Sequence, residues 1–195
     1  KVHAKTEFIP LEGRPPNSHD VTPDAFVTNT LQTHNCYKFL KFLDNEIHCY
    51  LEGLGYPGPW EYIIDSSWLT SNKKNQMALE HSHGPADISG VYYLKTNGKD
   101  GALFFKDPCS NMVGNLIMDL AVKQQDAPLD QGLLMMWPGF LSHGTRHNPT
   151  DNERISVSFN IIFARRGFSI KKNVDNTRAI AVRHNGWNDI VCYDD

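Results

Sequence analysis

Residues 81–94 read HSHGPADISGVYYL, and this stretch decides both the fold and the chemistry predicted for the chain. Side chains at positions i and i+2 of a β-strand point to the same face, so an extended chain presents the imidazoles of His81 and His83 side by side. Two such histidines can hold one metal ion, and a third from another strand would complete a face of ligands. The best candidate is His143, at the end of the segment WPGFLSH. Because imidazole suits iron, zinc, copper and nickel, the pattern predicts a mononuclear metal enzyme.

The composition is that of a folded globular protein. The chain has 195 residues, of which 40% are hydrophobic, 11% aromatic and 21% charged, whereas a disordered chain has fewer aromatic and more charged residues. This length predicts a single domain over residues 1–195. The net charge of −3 provides no attraction for nucleic acid or anionic lipid. We therefore expect a small-molecule or peptide substrate, without a nucleic-acid or membrane partner.

Apolar runs and cysteines bear on the cellular compartment. The longest apolar runs, such as residues 132–141, are shorter than the roughly twenty residues that span a bilayer. The cysteines are scattered and form no CxxC pair, which fits a reducing compartment. We expect a cytoplasmic protein in which each cysteine is a small buried side chain without a catalytic role. They are Cys36, Cys49, Cys109 and Cys192.

Hydrophobic periodicity predicts a mainly β protein. Apolar residues recur at helical spacing over residues 30–54, which predicts one amphipathic helix that buttresses a sheet. A helical insertion is possible over residues 111–125, and the tail 164–195 has no strong period. Short strands at regular intervals without intervening helices indicate a β-sandwich or jelly roll. The predicted strands span residues 60–72, 77–83, 88–95, 102–106, 133–137 and 154–163.

The last predicted strand alternates polar and apolar residues without a break. Its apolar residues share one face, and its opposite face carries Arg154, Ser156, Ser158 and Asn160. Taken alone, this pattern is typical of an outer strand with a solvated face. A barrel around a polar metal site instead needs a polar inward row. An arginine in that row can bind a carboxylate through two parallel hydrogen bonds, so Arg154 suggests a carboxylate-bearing cosubstrate near the metal.

Five segments in this order resemble a known enzyme family. They are the strand around Trp68, residues 81–94, the segment GALFFKDP at 101–108, the turn from Trp137 to His143, and RISVSFN at 154–160. Together they resemble the Fe(II)- and 2-oxoglutarate-dependent oxygenases, in particular a branch known from bacterial and phage sequences. The resemblance covers about residues 60–163. It implies a double-stranded β-helix (jelly roll), with Fe(II), the cosubstrate 2-oxoglutarate and O₂, and hydroxylation of a substrate that the sequence does not identify.

The resemblance also implies a set of metal ligands. His81 and His143 would bind the iron, and His83 would stand where most of the superfamily has the aspartate of an HxD pair. Either the site uses three neutral imidazoles, or a carboxylate comes from elsewhere, in which case Asp87 is the nearest candidate. No catalytic residue beyond the metal ligands is implied.

The same resemblance implies the residues that bind the cosubstrate. Arg154 would bind the distal carboxylate of 2-oxoglutarate, with Ser156 beside it. Tyr93 occupies the place where related prolyl hydroxylases use a tyrosine hydroxyl on that carboxylate, although a core tyrosine on a central strand would look the same.

Two other interpretations remain open. The cupins share the jelly-roll architecture, and their first motif has HxH followed by an acid, which His81, His83 and Asp87 satisfy. A cupin-type metal-dependent dioxygenase or isomerase is therefore an alternative. A non-catalytic jelly-roll binding module is another, because fold does not determine function. Arg154 with Ser156, and the long match around residues 89–94, favour the oxygenase.

Overall fold

The computed structural model of the chain describes residues 7–23, 25, 29–56, 61–108, 124–163, 180–184 and 190–192. In these ranges strands predominate, so the predicted mainly β class is confirmed. The helices are α1 (Thr30–Thr33) and α2 (Tyr37–Gly53). The strands are β1 (Ile9–Pro10), β2 (Asp20–Val21), β3 (Glu61–Asn72), β4 (Ile88–Lys95), β5 (Leu103–Lys106), β6 (Gln124–Asp126), β7 (Leu134–Pro138), β8 (His143–Thr145), β9 (Arg154–Phe163), β10 (Ile180–His184) and β11 (Ile190–Cys192).

The described strands form two antiparallel sheets. The larger has the order β1-β2-β3-β9-β4-β7, and β10 pairs with β3 and with β11. The smaller has the order β6-β5-β8. Strand β9 lies at the centre of the larger sheet between β3 and β4, so both of its edges are paired.

Helix α2 covers one face of the larger sheet. Its apolar residues Leu40, Leu43, Ile47 and Leu51 are buried and pack against residues of β3, β4 and β9. The predicted buttressing helix is therefore confirmed, but it is not continuous. Asn35 has φ 50° between α1 and α2, in the left-handed region that ends a helix.

The alternation of β9 directs its two sets of side chains as predicted. Its apolar residues, from Ile155 to Ile161, are buried against α2. Arg154, Ser156 and Ser158 line a cavity that also contacts residues of β5 and β8. The cavity therefore lies between the two sheets, and β9 supplies a polar part of its wall.

One strand prediction was wrong. Residues 77–83 do not form a regular strand but make isolated bridges at Met77 and His81. The reason is that their backbone groups pair with several different segments. The amide of Met77 donates to the Asn17 carbonyl at 2.9 Å, and the amide of His83 donates to the Gly139 carbonyl at 2.9 Å. No single partner strand runs alongside for long enough to build a ladder.

Other predictions have mixed outcomes. Residues 111–123 of the predicted helical insertion lie outside the described residues, and Gln124 and Gln125 belong to β6. Strands β10 and β11 fall in the tail where the sequence had no clear period.

Cys49 is exposed, so its predicted burial was wrong. None of the described helices is both long and apolar enough to cross a lipid bilayer.

Candidate metal centre and cosubstrate cavity

Three histidines converge where residues 77–83 meet strand β8. His81 and His143 face each other across an antiparallel bridge and exchange backbone hydrogen bonds of 2.8 and 2.9 Å. Directly opposed residues carry their side chains on the same face, and His83 follows at i+2. Each of the three offers one ligand atom, and these atoms all lie within 4.8 Å of one another. The structure therefore brings together the three histidines that the sequence predicted.

Two of these rings have defined tautomers. The Nδ1 of His81 lies 2.7 Å from the Leu79 carbonyl oxygen, and the Nδ1 of His143 lies 2.8 Å from that of Leu141. A carbonyl oxygen can only accept, so each Nδ1 carries the proton and donates it. Each Nε2 then keeps its lone pair, the arrangement by which metal-binding histidines are oriented.

His83 is positioned by other rings. It stacks on His143 with 5.2 Å between ring centroids and 20° between planes, and it lies 6.1 Å from the Trp68 ring. Within the described residues, no hydrogen bond to a ring nitrogen of His83 is present. Its orientation is therefore the least constrained of the three.

All three rings favour the neutral form. Burial is the largest cause in each case, and it brings the pKa of His83 and of His143 to about 4. Burial also lowers the pKa of His81, and the charge of Arg14 adds to that effect. Neutral imidazole is the form that binds a metal, so the three lone pairs are available at neutral pH.

Arg154 lies buried at the start of β9, with 5% of its surface exposed. Its Nη1 donates to the carbonyl oxygens of Gly101 and Asp100, and its Nη2 donates to the Asn72 amide oxygen at 2.8 Å when that amide is oriented to satisfy both of its groups. All of these partners are uncharged. Within the described residues Arg154 forms no ion pair, and burial lowers its pKa. A buried charge is costly unless it is paired, so this position is suited to a bound anion.

Two buried N–H donors on the cavity wall have no acceptor among the described residues. They are the Nε of Arg154 and the indole Nε1 of Trp137. The Trp137 ring meets the His143 ring edge-on, with 4.8 Å between centroids. Unpartnered buried donors cost about 1–3 kcal/mol each. Both residues line the cavity that the histidines share, so an acceptor bound there could satisfy these donors.

The cavity itself has a volume of about 310 Å³, at the lower end of the range for small-molecule sites. Its wall includes all three histidines, Tyr93, Arg154 and Ser156. The Tyr93 ring lies 5.8 Å from the guanidinium carbon of Arg154, and the Ser156 hydroxyl lies 2.6 Å from that of Thr70. The predicted metal ligands and the predicted cosubstrate residues thus share one cavity.

Asp87 is not part of this group. It is exposed, and its carboxylate accepts a hydrogen bond of 2.8 Å from the backbone amide of Phe163. It does not line the cavity. The structure therefore brings His83, rather than Asp87, to the other two histidines.

The N-terminal segment contributes cavity residues that the sequence reasoning missed. Leu11, Arg14, Ser18 and His19 all line the wall. The segment is joined to the site by a parallel bridge between Ser18 and Met77. No local motif marks these residues, because their role depends on a pairing between segments far apart in the chain.

Gly139 allows the turn after β7 to approach the loop that carries His83. A Cβ at this position would overlap the Ala86 carbonyl oxygen and lie 3.0 Å from that of His83. Gly139→Ala should therefore lower the free energy of unfolding by about 1–3 kcal/mol and weaken metal binding. Chemical denaturation and Fe(II) titration measure the two effects.

Gly84→Ala is the matched control for that substitution. Gly84 belongs to the same loop, but a Cβ there would meet nothing within 4 Å. If the two variants were equally stable and bound metal equally, the close approach at Gly139 would not matter for the site.

Residues 66–160 match the family described as "Putative 2OG-Fe(II) oxygenase". The match lies within the core that carries the sequence motifs, and it includes the three histidines and Arg154. Among curated proteins, no sequence matches the chain.

Solved structures with similar folds include enzymes of this class. The non-heme alpha ketoglutarate dependent epimerase SnoN from nogalamycin biosynthesis has a TM-score of 0.59 and 13% identity, over 93% of this chain and 78% of SnoN. An oxidoreductase of the 2OG-Fe(II) oxygenase family from Burkholderia pseudomallei has a TM-score of 0.57 and 13% identity, over 82% and 73% of the two chains. HygX from Streptomyces hygroscopicus, with nickel and 2-oxoglutarate bound, has a TM-score of 0.50 and 11% identity, over 69% of each chain. These likenesses confirm the predicted jelly-roll fold.

Proposed function

We propose that this chain is a 2OG-Fe(II) oxygenase, the family that residues 66–160 match, and that it hydroxylates a small molecule or peptide with Fe(II), 2-oxoglutarate and O₂. The observation that carries the proposal is the shared cavity. Three neutral imidazoles and one buried arginine without an ionic partner among the described residues line the same wall.

The donor set fits a divalent iron ion. His81, His83 and His143 would hold the metal through ring nitrogens, because imidazole is a ligand that iron accepts. For His81 and His143 this nitrogen is Nε2, since Nδ1 is bound to a carbonyl. The usual set for such enzymes has two histidines and one carboxylate. Three neutral ligands leave one more positive charge at the metal, which favours anionic cosubstrates.

The environment of Arg154 fits the far carboxylate of 2-oxoglutarate. Its guanidinium is buried, has an unpartnered Nε, and has no ion pair among the described residues. A carboxylate there would neutralise the charge and accept charge-assisted hydrogen bonds. The Ser156 hydroxyl lines the same wall, as does Tyr93, so both are positioned to contribute further polar contacts.

The protein's part in the reaction is positioning and exclusion of water. When bound, iron and 2-oxoglutarate supply the oxidising power that places one oxygen atom of O₂ in the substrate and the other in succinate, with release of CO₂. The histidines hold one end of the site and Arg154 holds the other, so the cosubstrate has a defined direction. Trp68 and Trp137 supply apolar wall beside the histidines and limit the access of water.

An anaerobic titration tests this function. Protein loaded with Fe(II) should develop the weak visible metal-to-ligand charge-transfer band when 2-oxoglutarate is added, because the cosubstrate then chelates the iron. Iron binding without a band would contradict the 2-oxoglutarate assignment and leave a cupin-type metal site as the better account. Protein that binds no metal would be a non-catalytic binding module. Admission of O₂ should then yield succinate, and a substrate product that has gained one oxygen atom would distinguish hydroxylation from other reactions of the class.

A further inference from the structure

The described wall of the cavity carries basic residues and no acidic residue. Arg14 and Arg154 both line it, whereas no described aspartate or glutamate does. A divalent metal held by three neutral imidazoles would add two more positive charges. A cavity lined by one sign of charge attracts ligands of the other sign and disfavours those of the same sign. The positive electrostatic potential in the cavity therefore favours an anionic ligand in addition to the cosubstrate.

Of the two arginines that line the cavity, Arg14 is the one to which the proposed function gives no role. It is exposed, yet it lines the cavity, so it lies where the cavity opens to solvent. Among the described residues it forms no ion pair, whereas Arg146 is paired with Asp126 at 2.8 Å. Its charge is therefore available to a ligand.

Ser18, which lines the same cavity as Arg14, provides a second, independent observation. The residue is 7% exposed and lines the cavity, and its buried hydroxyl has no hydrogen-bond partner among the described residues. The segment that carries both residues is held in place. The Ser18 amide donates to the Pro15 carbonyl at 2.9 Å, and the His19 amide donates to the Met77 carbonyl at 3.0 Å.

The size of the cavity limits what enters it. About 310 Å³ must hold the cosubstrate and the reacting part of the substrate together, so only a small group fits beside the metal. We propose that the substrate carries a carboxylate or phosphate group, which Arg14 and Ser18 bind at the mouth of the cavity. This inference rests on the proposed function, because that function assigns Arg154 to 2-oxoglutarate.

The test uses matched pairs of charged and uncharged probes on the loaded protein. Wild type is loaded anaerobically with Fe(II) and 2-oxoglutarate, and the charge-transfer band is recorded first. Calorimetry then measures binding affinities. The affinity of each proteinogenic L-amino acid and of benzoate is compared with that of its primary amide, and the affinity of glucose 6-phosphate with that of glucose. The same titrations are repeated with Arg14→Gln, Ser18→Ala and Lys38→Gln. The last variant removes an equal charge from an exposed position on α2, on the opposite face of the sheet.

At least one anionic probe should bind without loss of the band, about tenfold more tightly than its neutral partner. Arg14→Gln should remove about that factor and Ser18→Ala a smaller part, whereas Lys38→Gln should leave the affinity unchanged. The affinity should also fall as salt is added, because Arg14 is exposed. Three outcomes would each overturn the inference if the wild type shows the charge-transfer band. They are equal binding of charged and neutral probes, the absence of any anionic probe that binds, and an unchanged affinity in Arg14→Gln. A wild type without the band would instead refute the proposed function, and this inference with it.

Discussion

Alanine in place of His81 or His143 should lower the affinity for Fe(II) by more than about 100-fold and abolish the charge-transfer band with 2-oxoglutarate. Loss of a residue that only supports a metal ligand typically costs 10–100-fold, and loss of the ligand itself should cost more. His83→Ala should have a smaller effect, because no hydrogen bond within the described residues orients its ring. Iron affinity is measured by anaerobic titration of each purified variant.

His147→Ala is the matched control for these substitutions. His147 is exposed, its Nδ1 contacts the Asn75 carbonyl at 3.1 Å, and it does not line the cavity. Its removal should leave iron affinity unchanged. Unimpaired iron binding in both His81→Ala and His143→Ala would refute the metal centre. His83→Asp is a further test. It creates the usual set of two histidines and one carboxylate, so this variant should still bind iron.

Arg154→Ala should weaken 2-oxoglutarate binding by about 30-fold or more. Truncation of one partner in a buried, hydrogen-bonded charge pair typically costs at least about 2 kcal/mol, which corresponds to that factor. Arg154→Lys should recover only part of the loss, because an ammonium cannot form two parallel hydrogen bonds to one carboxylate. The dependence of the charge-transfer band on 2-oxoglutarate concentration measures both effects.

Iron affinity and a matched arginine separate this role from a structural one. The histidines belong to other segments, so Arg154→Ala should still bind Fe(II) in the absence of cosubstrate. Arg146→Ala removes an arginine that pairs with Asp126 and lies over the Phe104 ring, outside the cavity, so 2-oxoglutarate affinity should not change. If Arg154→Ala lost iron and cosubstrate together, or if Arg146→Ala weakened cosubstrate binding equally, Arg154 would not be the carboxylate site.

Much of the secondary structure could be predicted from the sequence, because it depends on the spacing of apolar residues a few positions apart. The predicted strands at 88–95 and 154–163 coincide with β4 and β9, and the helical spacing that starts at Thr30 marks α1 and α2. Alternation within β9 also predicted that Arg154, Ser156 and Ser158 face the cavity, whereas Asn160 of the same predicted face does not line it and Phe159 does. The regular strand predicted over residues 77–83 was wrong, because the backbone groups of this stretch pair with several different distant segments.

The sequence by itself determined the residue types of the site, the faces of β9 and the match of residues 66–160 to an oxygenase family. These depend on neighbours a few positions apart. Only the tertiary structure decided that His81 bridges His143, that Asp87 faces the backbone of Phe163 instead of the histidines, and that Arg154 lies buried beside neutral oxygens. It also decided that Arg14 and Ser18 line the cavity. Each of these features depends on pairing between distant segments, for which the local pattern of side chains carries no signal.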